Sequence, residues 1–463
     1  MENNSLSLLD RFNNWVKESV MIKLMSIGFL ILILLIPASW IESLINERQY
    51  RAEDVVREIS NKWSGTQTLT GPVLVIPFTK MEKIKSWQKG IQIEEIVQTQ
   101  HKAFFLPENL FIDSKVMPER LTRGIFEAVV YDSKINMKVT FGELSFVKWN
   151  IPDEQVHWKD AVLVAGISDL RGISENPIVR AKEEKLLSEP SSDIGLSNHI
   201  NDNEQIIRGI AAPLNWNNRS DIVTDFSIDL QLKGSEQLYF VPAGRTTEVK
   251  MTSNWLSPSF DGQLLPSSRE INEQGFAATW KVLSYNRPFS QQWIDQEQKL
   301  SGSEFGVRLL IPADQYQKSI RTAKYGILVI LLAFTVLFLV ELTAKVRIHP
   351  FQYILVGVAL IIYYTLLLSL SEHLGYNTAY AVASLATVTL VALYSTTFLL
   401  KKSLSVLFTF MMGLFYAFIF VIIQAEDFSL LIGSIGLFFI VAIIMYFSRN
   451  IKWYKAPEPS ESK

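Results

Sequence analysis

The chain has no cysteine among its 463 residues, which removes several kinds of site at once. Disulfide bonds, thiol nucleophiles, iron–sulfur clusters and cysteine-ligated zinc are all excluded. Histidine is also scarce, at 5 residues, and no HExxH, G-x-S-x-G or Walker motif is present. Gly166-Ile167-Ser168-Asp169-Leu170 begins like a nucleophile elbow but has leucine where the second glycine belongs. The sequence therefore predicts no enzyme, no metal site and no cofactor.

Charge of one sign does not dominate either, since 44 Lys and Arg face 46 Asp and Glu for a net charge of −2. Without a long basic run, nucleic-acid binding is not expected. Hydrophobic residues make up 48% and charged residues 19% of the chain, with a mean hydropathy of +0.18. These values lie between those of a soluble domain and a membrane bundle, which indicates two kinds of region.

Long apolar runs occur near the N-terminus and in the last third of the chain. Tyr325–Val340 contains no charge and, with its flanks, supplies the roughly twenty residues that cross a bilayer as a helix. Met21–Ile41 is interpreted as an uncleaved first span, because it is longer than a signal-peptide core and runs on into a helical pattern. The other predicted spans are Tyr353–Leu370, Thr378–Leu400, Ser403–Ile423 and Phe428–Phe447.

The middle of the chain, from about Thr66 to Pro312, alternates short apolar stretches with Gly, Pro, Asn and Asp. This pattern is typical of an all-β domain of one or two sandwich units. The polar stretch Arg180–Asn203 is predicted to be an exposed loop or insertion. The predicted strands are 73–78, 98–106, 124–131, 135–141, 161–167, 222–232, 238–241, 247–253, 276–283 and 305–311.

The predicted fold is thus a bundle of about six transmembrane helices with a large, sandwich-like all-β domain inserted between the first and second. A juxtamembrane helix is expected at the start of the β domain, and the N-terminal tail is a candidate amphipathic segment. The predicted divisions are a tail at 1–20, the first span at 21–42, the β domain at 43–320, the five-helix bundle at 321–448 and a tail at 449–463.

Orientation is predicted from the short loops, because Lys and Arg concentrate on the cytoplasmic side. Basic residues follow every second span: Lys345 with Arg347, then Lys401 with Lys402, then Arg449. The short loops between the other spans carry only acidic charge. Both termini are therefore expected in the cytoplasm, with the β domain on the outer side of the membrane.

Four candidate functional residues lie in the β region. Asp169 and Arg171 follow a predicted strand, where Arg171 could orient a ligand carboxylate, but the favoured interpretation is an ion pair within a turn. Arg245 and Trp255 could line a glycan or peptide groove with Phe260 and Trp280, but for these aromatics a core position is favoured.

Three further candidates lie in the helical region. Glu341, near the cytoplasmic end of its span, is a functional candidate because ionisable groups in membranes are usually functional. Pairing with Lys345, one turn away, is the simpler explanation. Glu372 and His373 at the outer rim could form a proton-sensitive contact, with helix capping as the simpler account.

Several phrases along nearly the whole chain resemble the CreD family of bacterial inner-membrane proteins. They are Ile45-Asn46-Glu47-Arg48, Leu69-Thr70-Gly71-Pro72, Ser168-Asp169-Leu170-Arg171-Gly172, Val241-Pro242-Ala243-Gly244-Arg245, Thr252-Ser253-Asn254-Trp255, Pro312-Ala313-Asp314-Gln315-Tyr316, His349-Pro350 and Ser371-Glu372-His373. The resemblance implies a role in cell-envelope integrity, colicin tolerance and the response to β-lactam stress, with no assigned reaction.

Two functions follow as expectations. The first is a non-enzymatic scaffold or sensor in the bacterial inner membrane, whose periplasmic β domain binds an envelope protein or glycan. The alternative is a transporter or flippase formed by the last five helices, which is less favoured because these spans lack internal proline and hold only Glu341 as a clear ionisable residue. The sequence leaves the ligand and the oligomeric state open.

Overall fold

A computed structural model of the chain describes residues 20–88, 91–200, 203–295, 298, 300, 302–309, 315–344, 346–399, 401–425 and 428–449. The chain forms two compact units. The helical unit comprises Met1–Glu53 with Ala313–Lys463, and the β unit comprises Asp54–Pro312. The predicted amphipathic segment at the N-terminus and the tail after Arg449 lie outside the described residues.

Seven α-helices in the described residues lie wholly or partly in the helical unit. They are α1 Val20–Trp63, α2 Gln315–Lys324, α3 Gly326–Ala344, α4 Pro350–Leu374, α5 Tyr376–Phe398, α6 Lys402–Gln424 and α7 Ser429–Ser448. Within the described residues, six stretches are long and apolar enough to cross a membrane, with α2 and α3 together counted as one. The six predicted spans are thereby confirmed, and the predicted juxtamembrane helix is the continuation of α1, whose last residues belong to the β unit.

Local sequence explains where these helices begin and how closely they pack. At the start of α4, His349 Nδ1 accepts the backbone N–H of Phe351 at 3.2 Å, and Pro350 occupies the first turn, where its missing N–H leaves no bond unmade. Ala379 and Ala383 on α5 are fully buried, which allows close approach of a neighbouring helix.

The described part of the β unit contains nineteen strands. They are β1 Gln67–Gln88, β2 Ile91–Phe105, β3 Asn109–Arg123, β4 Phe126–Thr140, β5 Val162–Ile167, β6 Ile178–Ala181, β7 Glu184–Leu186, β8 Glu189–Ser191, β9 Ser197–Ile200, β10 Asn203–Ile206, β11 Gly209–Pro213, β12 Asp225–Ser235, β13 Gln237–Phe240, β14 Thr246–Ser253, β15 Pro258–Gly262, β16 Ser268–Asn272, β17 Gly275–Leu283, β18 Gln292–Ile294 and β19 Phe305–Leu309.

Two large sheets share one hydrophobic core. The nine-stranded sheet has the order β15-β19-β13-β1-β5-β11-β8, with β2 paired to β1 and β18, and the eight-stranded sheet has the order β16-β17-β14-β3-β4-β12-β6-β7. Only β1 with β13 and β14 with β3 pair in parallel among the described strands. Alternate residues of β3, β4 and β12 are buried, so each of these strands turns one apolar face to the core.

The observed strands differ from the predicted ones in several places, including residues 124–141 and 180–203. Residues 124–131 and 135–141 were expected as separate strands but lie in the single strand β4, paired with β3 along its whole length. Arg180–Asn203, expected as an exposed loop, instead contains short strands and buries Ile194 and Leu196. Its polar composition is accommodated because most of its other described side chains are exposed.

Candidate functional site

Asp169 and Arg171 join the last turn of α1 to the β unit. Arg171 binds Asp169 through two bonds, Nε to Oδ1 at 2.9 Å and Nη2 to Oδ2 at 2.7 Å. The third guanidinium nitrogen, Arg171 Nη1, donates to the carbonyl of Asn61 at 2.8 Å. Asp169 Oδ2 also accepts the backbone N–H of Gly65 at 2.9 Å. The pair therefore satisfies a helix carbonyl and a backbone N–H at the end of α1.

Gln67 completes this junction from the inside. It is fully buried, and its Nε2 donates to Ser64 Oγ at 3.0 Å and to the carbonyls of Asp169 and Lys233 at 2.9 and 3.0 Å. A Cβ on Gly172 would lie 2.3 Å from the carbonyl oxygen of Lys233, so only glycine fits there. These contacts support the favoured interpretation of Asp169 and Arg171 as a structural pair, and they show a link to α1 that the sequence did not indicate.

Replacing Asp169 by asparagine is expected to lower the free energy of unfolding by about 1–2 kcal/mol at neutral pH, because a charge-assisted, bidentate pair is lost. The Arg171 guanidinium, with help from the Gly65 N–H, holds the pKa of the Asp169 carboxyl well below its usual range. The stabilisation is therefore complete above the unfolded-state pKa of about 4 and is lost as pH falls toward the lower folded-state value.

Thermal unfolding of wild type and Asp169→Asn from neutral pH down to about pH 2 measures this effect. The two curves should converge in acid, where wild type loses the same interaction. Asp160→Asn, at an exposed carboxylate, is the control with the same charge change. A difference between wild type and Asp169→Asn that stays constant down to that pH would show that the charge does not carry the effect.

Arg245 and Trp255, the candidate groove residues, have different partners in the structure. Arg245 Nε lies 2.7 Å from Glu108 Oε1, whereas Trp255 is 8% exposed and lies under the Arg120 guanidinium at 5.3 Å. Phe260 and Trp280 pack edge to face at 5.8 Å, with Trp280 1% exposed. The aromatic set is thus part of the core, as favoured, and its rings are not available to line a groove.

A buried arginine that sequence reasoning missed lies close to Arg245. Arg287 is 7% exposed, and its guanidinium donates to the carbonyls of Phe289, Ser290 and Ala243. Burial lowers its pKa to about 10, helped by the nearby charge of Arg245. Its contacts hold the chain after β17, which indicates a structural role.

Glu341 lies at the centre of a buried polar cluster in the helical unit. Its side chain is 5% exposed and forms an ion pair with Lys23 of α1. The other oxygen, Oε2, accepts the Tyr353 hydroxyl at 3.1 Å, and the Ile348 N–H donates to Oε1 at 2.9 Å. One carboxylate therefore connects α1, α3, α4 and the loop between the last two.

Lys23 is a partner that was not predicted from the sequence, and the predicted pairing with Lys345 stays a prediction. Lys345 lies outside the described residues, and the described partner is Lys23, 318 positions earlier in the chain. The signal that could have found it is present in the sequence, because Lys23 is a lone cation inside the first apolar run. An isolated cation in one span and an isolated carboxylate in another are natural partners.

Glu372 and His373 lie at the other end of α4 from the Glu341 cluster. Glu372 accepts the Tyr316 hydroxyl of α2 at 3.2 Å, while His373 is exposed in the last turn of α4. Within the β unit, Asp169 and Arg171 bind each other, whereas Arg245 and Trp255 have other partners; within the helical unit, Glu341 and Glu372 lie near opposite ends of α4. Among the described residues, no group of three or more His, Asp or Glu is placed to hold a metal ion.

Comparison with known proteins gives one family over nearly the whole chain. The family model described as "Inner membrane protein CreD" matches residues 19–454. The chain is also similar to the Inner membrane protein CreD of Escherichia coli (strain K12), with 32% identity over 449 residues that cover 95% of both chains.

Proposed function

The chain belongs to the CreD family of inner membrane proteins, and from this premise we propose that it is a non-enzymatic scaffold or sensor for cell-envelope integrity and stress response. The β unit binds an envelope component, and the helical unit anchors it in the inner membrane. The junction at Asp169 and Arg171 is the observation that supports this role most directly. It binds the last turn of α1, a helix whose earlier residues belong to the helical unit, to the rest of the β unit.

The proposal includes an orientation in which both termini face the cytoplasm and the β unit faces the periplasm. Successive membrane helices end on alternate sides of the bilayer. By this alternation, the helix ends beside Arg347, Lys401 and Arg449 share one side, and the helix end near Glu372 is on the other. The excess of positive residues marks the cytoplasmic side. A reporter fused after Gly262 should be active outside the cytoplasm, and activity inside it would overturn this orientation.

Photo-crosslinking in intact cells tests the scaffold. A photoreactive residue replaces Tyr285, which is 95% exposed on the β unit, and the control replaces Leu393, which is 67% exposed on α5. We expect a reproducible adduct with one envelope protein or glycan from position 285 and lipid adducts alone from position 393. If position 285 and the exposed Leu256 both gave no reproducible adduct, the scaffold role would be contradicted.

A transporter or flippase is the second candidate, and the buried Glu341 cluster is the observation that favours it. Buried ionisable groups in membrane helices often mark substrate or proton pathways. Lipid or substrate flux in proteoliposomes, compared with Glu341→Gln, separates the two functions. Flux that depends on the carboxylate would favour transport, whereas the scaffold proposal expects none.

A further inference from the structure

On the exposed face of the eight-stranded sheet, one row of neighbouring side chains across β14, β3, β4 and β12 contains two lysines and no carboxylate. Lys115 on β3 lies directly opposite Lys134 on β4. The next residue on either side of this pair is neutral, Thr252 on β14 and Gln231 on β12. Like charges directly opposite each other on a sheet repel, so this arrangement opposes the pairing of β3 with β4 at that point.

In the neighbouring rows on the same face, each carboxylate has a cation at the paired register position. Asp113 is in register with Lys250, whose Nζ lies 3.6 Å from Glu248, and Asp132 is in register with Lys233, whose Nζ lies over the Trp63 ring. Asp229 accepts Arg180 Nη1 and Asn136 Nδ2, both at 2.5 Å. Within the described parts of the chain, Lys115 and Lys134 are not in an ion pair, which leaves their two charges directed to solvent.

A groove of about 360 Å³ lies over this part of the sheet. Among its lining residues are Asp113, Lys115, Lys134, Asn136, Asp229 and Gln231. The groove is shallow and open to solvent. Its lining combines two cations with amide and carboxylate groups that can donate to or accept from hydroxyls.

We propose that this lysine groove binds a saccharide that carries a carboxylate. The carboxylate lies between Lys115 and Lys134 and neutralises their repulsion. Gln231 Nε2 donates to Glu175 at 2.6 Å, and Asn136 Nδ2 donates to Asp229. The amide oxygens of these two residues and the Asp113 carboxylate therefore accept sugar hydroxyls. A neutral sugar would leave the two lysines unpaired, and a simple anion would bring no hydroxyl donor to these oxygens. This inference rests on the proposed function, because it requires that the β unit face the envelope, and it specifies the component that the unit binds.

Calorimetric titration of the full-length protein in phosphatidylcholine nanodiscs tests the proposal. The anionic probe is the disaccharide of N-acetylglucosamine and N-acetylmuramic acid, and the neutral probe is N,N′-diacetylchitobiose. We expect the anionic probe to bind about tenfold more tightly than the neutral one, and its affinity to fall as salt is raised. Lys115→Gln with Lys134→Gln should weaken the anionic probe about tenfold and leave the neutral probe unchanged.

Lys138→Gln with Lys281→Gln is the matched control, since both residues are exposed on the same face and neither lines the groove. This double variant should bind the anionic probe as wild type does. No binding of the anionic probe, equal binding of the two probes, or equal loss in both double variants would overturn the lysine groove. An envelope adduct from position 285 together with any of these results would leave the scaffold in place and reject the groove alone.

Discussion

Replacing Lys23 by methionine is expected to lower the free energy of unfolding of the helical unit by about 2–3 kcal/mol, because it leaves the Glu341 carboxylate buried without its cation. Removing one partner of a fully buried pair typically costs about 3–5 kcal/mol. The expected value is lower here because Lys23 is 32% exposed and solvent already screens part of its charge. Denaturation of the protein in micelles by sodium dodecyl sulfate, followed by circular dichroism, measures the change.

Two further variants make this result specific to the ion pair. Glu341→Gln keeps one side-chain oxygen that accepts the Ile348 N–H, and its amide N–H can donate to the Tyr353 hydroxyl oxygen, so it should be milder than Lys23→Met. In Lys23→Met with Glu341→Gln no charge remains buried, and the double variant should recover much of the lost stability. Additive losses in the double variant would show that the two side chains do not interact in the folded protein.

The Glu341 pair shows what the sequence could and could not predict in the helical unit. Apolar length and charge-free composition were enough to predict the six spans, because the bilayer demands both over a fixed length. Polar spacing was enough to single out Glu341, but not its partner. Which faces of two helices meet depends on packing between segments hundreds of residues apart, and no periodicity within one helix contains that information.

The β unit shows the same division between local and long-range information. Strands with a strong apolar pattern, such as the continuous apolar run at 161–167 and the alternating stretch at 276–283, were predicted close to their observed bounds. β3 was missed because it contains Pro118 and several charged residues, which locally disfavour a strand. Pairing with β4 along its whole length stabilises it regardless, so tertiary contact overrides local preference.

The candidate residues divide in a similar way. The turn pair of Asp169 and Arg171 was predicted, because both partners lie within three residues of chain. The contact with Asn61 was not, since it joins segments 110 positions apart. The lysine groove is likewise visible only in the strand register, which brings Lys115 and Lys134 opposite each other.

Replacing Trp280 by alanine is expected to lower the free energy of unfolding of the β unit by about 3–5 kcal/mol, the range for removing a large buried aromatic side chain. Trp280 is 1% exposed, its ring lies 5.8 Å from that of Phe260 and 5.7 Å from that of Phe305, and its Nε1 donates to the Leu264 carbonyl at 3.2 Å. The substitution therefore removes ring contacts and leaves a carbonyl without its donor.

Thermal unfolding followed by near-ultraviolet circular dichroism measures the effect of Trp280→Ala, with Tyr285→Ala as the control because Tyr285 is 95% exposed and follows β17 directly. The control should change stability by no more than about 0.5 kcal/mol. This comparison also separates the two interpretations of the aromatic set. A tryptophan in a ligand groove would lose binding at unchanged stability, whereas a core tryptophan loses stability first, and any loss of binding follows from unfolding.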